Sequence, residues 1–72
     1  MATFNDRLKT LRKNKKITQK QMAEFLEITD RHFQRYEAGE IDPPTSVTVK
    51  LADYFNVSTD YLLGRSDKPN RY

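Results

Sequence analysis

Arg31, His32 and Arg35 are the residues whose types and spacing promise chemistry in this chain. Arginine holds its N–H donors in a rigid, permanently charged plane, and histidine adds a donor or an acceptor at shorter reach. That chemistry recognises acceptor groups and breaks no bonds. His32 is the single histidine, and no serine or aspartate stands at a distinctive spacing from it to build a nucleophilic set. Asp53 and Asp60 are scattered carboxylates, and with Gly39 and Gly64 as the two glycines there is no glycine-rich phosphate loop. Cysteine is absent, so neither a disulfide nor a thiolate zinc site is available, and one histidine makes no metal centre. The sequence predicts no catalytic residue, no metal, no cofactor and no small-molecule ligand.

The elements that position those residues follow from the apolar spacing. The chain has 72 residues, enough for one domain and too few for two. Apolar residues recur at three and four, the helical period, and no stretch alternates in period two for long. The predicted class is all-α, a compact five-helix bundle. A first helix spans about 4–14, with Phe4, Leu8 and Leu11 on one face and Thr3 or Asn5 as cap. A second starts at Thr18, where Thr18 and Gln21 have the spacing of a capping box and Ile17 and Met22 that of a hydrophobic staple. Met22, Ala23 and Leu26 are its buried stripe. Thr29 caps a third helix running to Glu37, with Phe33 and Tyr36 inward and Gly39 as its left-handed stop. Asp42-Pro43-Pro44 enforces a loop. A fourth helix covers about 46–55, capped by Thr45, with Val47, Leu51, Ala52 and Phe55 inward. Ser58 caps a short last helix at 59–63, closed by Gly64. Residues 1–64 are thus expected to form the folded domain, and the polar tail 65–72 to be flexible.

Net charge is +3, but its distribution is uneven. Residues 6–20 hold Arg7, Lys9, Arg12, Lys13, Lys15, Lys16 and Lys20 against Asp6, whereas residues 40–60 hold Lys50 against four carboxylates. One part of the chain is built to meet a polyanion. No run approaches 18 apolar residues and no signal-peptide stretch opens the chain, so no membrane association is expected and the predicted compartment is the cytoplasm, at the nucleoid.

Two short helices joined by about three residues must cross sharply, the arrangement that lets one helix straddle a DNA backbone while the next enters the major groove. With Phe33 and Tyr36 inward, Asp30, Arg31, His32 and Arg35 take the outer face of the second of these. Arginine can donate twice to O6 and N7 of guanine. His32 can donate to guanine or pack on a thymine methyl, and Asp30 can accept from cytosine N4 or orient Arg31. Free amides at the Thr18 end of the preceding helix favour a phosphate, with Lys20 beside them. The expected partner is double-stranded DNA.

The stretch ITQKQMAEFLEITDRHFQRYEAG, followed by a proline-bearing loop, LADYF and NVSTDYLLG, resembles the phage repressor-like Cro/Xre helix-turn-helix family. The resemblance covers about residues 4–64 and implies a lambda repressor-like fold with helices two and three as the reading unit. It implies a transcriptional regulator, more specifically a repressor, of prokaryotic or phage type. By position it implies that Gln19 contacts phosphate and buttresses a base contact, and that Asp30, Arg31, His32 and Arg35 read bases. It further implies that Arg12 and Glu37 form an interior ion pair that also presents Arg12 to the DNA backbone, and that Thr45 and Ser46 touch phosphate.

Tyr54, Tyr61, Leu62 and Leu63 form an apolar group near the C-terminal end, read either as closure of the core or as a two-fold dimer seam. The dimer is preferred, because one small reader contacts few bases and operators of this family are near-palindromes. The competing function is a protein-interaction module, such as an antitoxin, using Tyr54, Tyr61 and Leu62. Binding to single strands lacks an exposed aromatic platform.

Overall fold

A computed structural model describes residues 3–70, so residues 1, 2, 71 and 72 of the two expected spans lie outside it. Among the described residues all regular structure is helical. The helices are α1 (Phe4–Asn14), α2 (Gln19–Leu26), α3 (Asp30–Glu37), α4 (Thr45–Phe55) and α5 (Thr59–Leu62).

Hydroxyl side chains start four of the five. Thr3, Thr18, Thr29 and Ser58 each accept from the amide three residues on, satisfying a donor that has no partner within the helix. At Thr18 the box is reciprocal: Thr18 Oγ1 accepts from the Gln21 amide at 3.0 Å, and the Thr18 amide donates to Gln21 Oε1 at 2.9 Å. α4 departs from the expected pattern. Pro44 occupies the N-cap position and makes no side-chain cap bond, so Thr45 is the first helical residue and not the cap. Thr48 faces inward beside Val47, which also packs against the core. Thr48 is buried, its hydroxyl donating to the Pro44 carbonyl at 3.4 Å, while Val47 is only half-buried.

All five helices close alike. A residue in the left-handed region is followed by an amide that reaches back five residues: Ile17 to Arg12, Ile28 to Ala23, Glu40 to Arg35, Val57 to Ala52 and Arg65 to Asp60. This closure suits glycine, and Gly39 and Gly64 supply two of the five positions. Lys16, Glu27 and Asn56 supply the rest at φ of 57°, 59° and 55°. Asparagine tolerates that region, whereas lysine and glutamate are strained there by about 1–2 kcal/mol. Glu27→Gly should therefore raise stability by about 0.5–1 kcal/mol after the extra unfolded-state entropy of glycine is subtracted. Urea unfolding of the two proteins checks this, and an unchanged or lower midpoint refutes it.

The core gathers Leu8 from α1, Met22, Ala23 and Leu26 from α2, Phe33 and Tyr36 from α3, Leu51, Ala52 and Phe55 from α4, then Val57 and Leu62. α1 packs on both α3 and α5, which makes it the strut between the two halves. Arg7, half-buried on α1, donates to the carbonyls of Tyr61 and Ser66 at 2.9 Å each and to Asp67 at 3.2 Å. Its guanidinium lies 3.8 Å from the centre of the Tyr61 ring. The Ser58 amide donates to the Pro69 carbonyl at 3.0 Å. The segment 65–69, part of the tail expected to be flexible, is bonded to Arg7 of α1 and to Ser58 at the start of α5. The bonds come from residues far apart in sequence, which is why composition alone does not reveal them. No described helix is long and apolar enough to cross a membrane.

Candidate nucleic-acid interface

Three residues, Glu27, Ile28 and Thr29, separate α2 from α3. The left-handed Glu27 turns the chain, Ile28 packs half-buried against the core, and Thr29 Oγ1 accepts from the His32 amide at 3.0 Å. α3 has eight residues, too short to hold its own shape in water. Its orientation is imposed by what it buries: Phe33 completely, Tyr36 to 97% and Glu37 at its C-terminal end.

Asp30, Arg31, His32 and Arg35 are all exposed, as their spacing from Phe33 and Tyr36 requires. Gln34, which sequence reasoning passed over, is exposed on the same helix. Its signal was available: it lies i+3 from Arg31 and between the two inward aromatics. Arg35 Nε is 3.9 Å from Glu40. Both side chains are largely exposed, so the pair is weak and leaves Arg35 available. His32 has a partner that helical periodicity does not reveal, because periodicity sorts Tyr36 to the core: its Nε2 lies 3.0 Å from the Tyr36 hydroxyl.

Behind α3 lies a closed polar network. Arg12 Nε donates to Glu37 Oε2 at 2.5 Å, and Nη2 donates to Oε1 at 3.1 Å. Arg12 Nη1 donates to the Ile17 carbonyl at 2.8 Å, and Gln19 Nε2 adds a bond of 3.0 Å to Glu37 Oε1. Both charged side chains are buried, at 10% and 4% exposure. The expected ion pair is present. The expected presentation of Arg12 to a backbone phosphate is not, since its donors are turned inward and its side chain is covered. Gln19 is half-buried and holds the start of α2 to the end of α3, a position compatible with buttressing. Thr18 and Lys20 are exposed at the α2 start, and Thr45 and Ser46 are exposed at the α4 start. Of the basic run, then, Arg7 and Arg12 are bonded within the fold, and Lys9, Lys13, Lys15, Lys16 and Lys20 are exposed.

The four residues expected at a dimer seam have separate settings. Leu62 is fully buried, so it closes the monomer core and offers nothing to a second copy, a correction that follows from its position in a four-residue helix with one inward side. Tyr61 lies half-buried beneath Arg7. Tyr54 is exposed and rests on Phe25, ring centres 4.6 Å apart. Leu63 is exposed and lines an apolar groove with Phe4, Val49 and Thr59.

Comparison with known proteins agrees with this arrangement. A family described as a helix-turn-helix domain matches residues 5–68. The chain is 44% identical over 65 residues to the HTH-type transcriptional regulator ImmR of Bacillus subtilis, a match covering 90% of this chain and 51% of ImmR. It is 42% identical over 60 residues to the SPbeta prophage-derived HTH-type transcriptional regulator YonR of the same organism, covering 83% and 56%. To the CTXphi transcriptional repressor RstR of Vibrio cholerae it is 40% identical over 62 residues, covering 86% and 55%. The chain spans about half the length of these curated relatives. The match across 5–68 and the 44% identity over 90% of the chain establish that it belongs to the helix-turn-helix domain family, in the phage repressor-like (Cro/Xre) group.

Proposed function

We propose that this chain is the DNA-reading unit of a transcriptional repressor that binds a near-palindromic double-stranded operator as a homodimer. The observation that carries this reading is the outward row Asp30, Arg31, His32 and Arg35 on a short helix locked from behind by Phe33, Tyr36 and Glu37. In this reading α3 enters the major groove, and Gln19 supports a base contact from the α2 start. Thr18, Lys20, Thr45 and Ser46 lie along the backbone, where first-turn amides face the phosphates. The protein works at the nucleoid, in the cytoplasm.

Size supports the dimer. The molecule is 31 Å long, so a two-fold pair can set its α3 copies about one helical turn, roughly 34 Å, apart. The exposed Leu63 and the groove it shares with Phe4 and Val49 are the apolar surface for that contact, and the exposed Tyr54 and half-buried Tyr61 lie outside that lining. The same groove is where a partner protein would dock in an antitoxin-like role.

Selection from random double-stranded DNA at about 150 mM salt, run beside sedimentation of the free protein, tests the reading. A symmetric consensus together with a sedimenting dimer is the expected result. Retention of single strands only, or a monomer that selects nothing, rejects it. Arg31→Ala and Arg35→Ala should each cost about 1–3 kcal/mol on the selected site and relax one base pair per half-site. A loss that is equal on every sequence tested would reassign these arginines to the backbone.

A further inference from the structure

Tyr36 is a core residue with one polar atom at its rim. Its residue surface is 3% exposed, yet its hydroxyl lies 3.0 Å from Nε2 of the exposed His32. The rings also meet edge to face, with centres 4.9 Å apart and planes at 82°. The two residues are four apart on α3, the spacing that places side chains over one another on a helix. The His32 ring is therefore engaged both at one nitrogen and through the ring contact by a side chain that the core encloses.

The direction of this hydrogen bond matters for recognition. A phenol O–H is a stronger acid than the N–H of a neutral imidazole, and the bare imidazole nitrogen is a stronger base than the phenol oxygen. The favoured pairing has the Tyr36 hydroxyl donating to Nε2, and the bond made at one ring nitrogen decides the protonation of the other. Building on the operator-reading proposal, we propose that Tyr36 is a positioning residue that fixes the His32 ring and its tautomer, so that His32 presents Nδ1–H to the DNA and reads an acceptor. In the major groove the acceptors are guanine N7 and O6, thymine O4 and adenine N7. The amino groups of cytosine and adenine are donors and are refused by that tautomer. An unsupported histidine would turn between rotamers and offer either a donor or an acceptor, which relaxes its choice of base.

Tyr36→Phe keeps the buried ring and deletes only the hydroxyl, so it separates positioning from packing. In the DNA selection, His32→Ala identifies the base pair that His32 reads. Tyr36→Phe should flatten preference at that same pair by about five- to tenfold, as expected for one neutral hydrogen bond. Non-specific affinity, and preference at the pairs that Arg31→Ala and Arg35→Ala disturb, should stay as in the wild type. The double variant His32→Ala/Tyr36→Phe should lose no more than His32→Ala alone. Nitrogen-15 spectra of the free protein at mildly alkaline pH give a readout without DNA: His32 should carry its proton on Nδ1 in the wild type and a mixture in Tyr36→Phe. A wild-type protein that selects a motif which Tyr36→Phe leaves unchanged, or a wild-type spectrum with the proton on Nε2, overturns this proposal alone. A wild-type protein that selects no motif overturns the operator reading as well.

Discussion

Glu37→Ala is expected to lower the unfolding free energy by about 3–5 kcal/mol, because it strands the Arg12 guanidinium in the interior. The wild-type carboxylate takes two bonds from Arg12 and one from Gln19, and after the substitution only the Ile17 carbonyl remains as an acceptor among these partners. A folded domain of this size holds roughly 4–11 kcal/mol in total, so the loss takes a large share of it. Thermal unfolding should shift down by about 15 °C or more. A shift of only a few degrees would mean that water reaches Arg12 in the variant and that the pair is less enclosed than its 10% and 4% exposures indicate.

The same physics says why the pair is not present for stability. Desolvation of two charges offsets most of their attraction, and apolar replacements of both partners are often neutral or better. Arg12→Met combined with Glu37→Leu should thus melt much nearer the wild type than Glu37→Ala does. What the apolar pair cannot supply is direction. Glu37 receives α1 through Arg12 and the start of α2 through Gln19, so the end of α3 is referenced to both neighbours by bonds of fixed geometry. A greasy replacement would fold and would leave the angle of α3 less defined.

Much of the fold is legible in the sequence where its cause is local. Thr18, Thr29 and Ser58 announce their helices because a cap involves four consecutive residues, and the α3 register follows from Phe33 and Tyr36 alone. Closure is half legible: Gly39 and Gly64 signal left-handed stops, whereas Lys16, Glu27 and Asn56 take the same conformation without glycine. The α4 start escapes because Pro44 takes the cap position without a side-chain bond, and the burial of Thr48 escapes because its hydroxyl finds a carbonyl that a hydropathy reading cannot foresee. At the site, exposure of Arg31, His32 and Arg35 is readable, while the bond from His32 to Tyr36 is not, since periodicity sorts one residue outside and the other inside. The roles of Arg7, Arg12 and Leu62 depend on residues distant in sequence. A cation in a basic run looks the same whether it will face solvent or the core.

Phe33→Ala is the second large expected effect, and it bears on recognition as much as on folding. Phe33 heads the fully buried side chains by size, and truncation of such a phenylalanine costs about 3–5 kcal/mol in lost burial and residual cavity. That alone removes as large a share of the domain's stability as Glu37→Ala does. The location of the cavity adds a second consequence. α3 is eight residues long and keeps its place through Phe33, Tyr36 and Glu37, so removing the central anchor frees the helix that carries Arg31, His32 and Arg35. Phe33→Leu separates the two effects, because it retains most of the apolar volume and should cost about 1–2 kcal/mol, leaving a folded domain. Helical circular dichroism should then be close to wild type, while discrimination between the selected operator and random DNA narrows. Full discrimination in Phe33→Leu would show that Tyr36 and the Glu37 network hold α3 without Phe33. Loss of binding to random DNA as well would point to unfolding instead of a loosened helix, because the exposed lysines of the basic run, Lys20 of the proposed phosphate contacts among them, are borne by α1, α2 and the turn between them, outside α3.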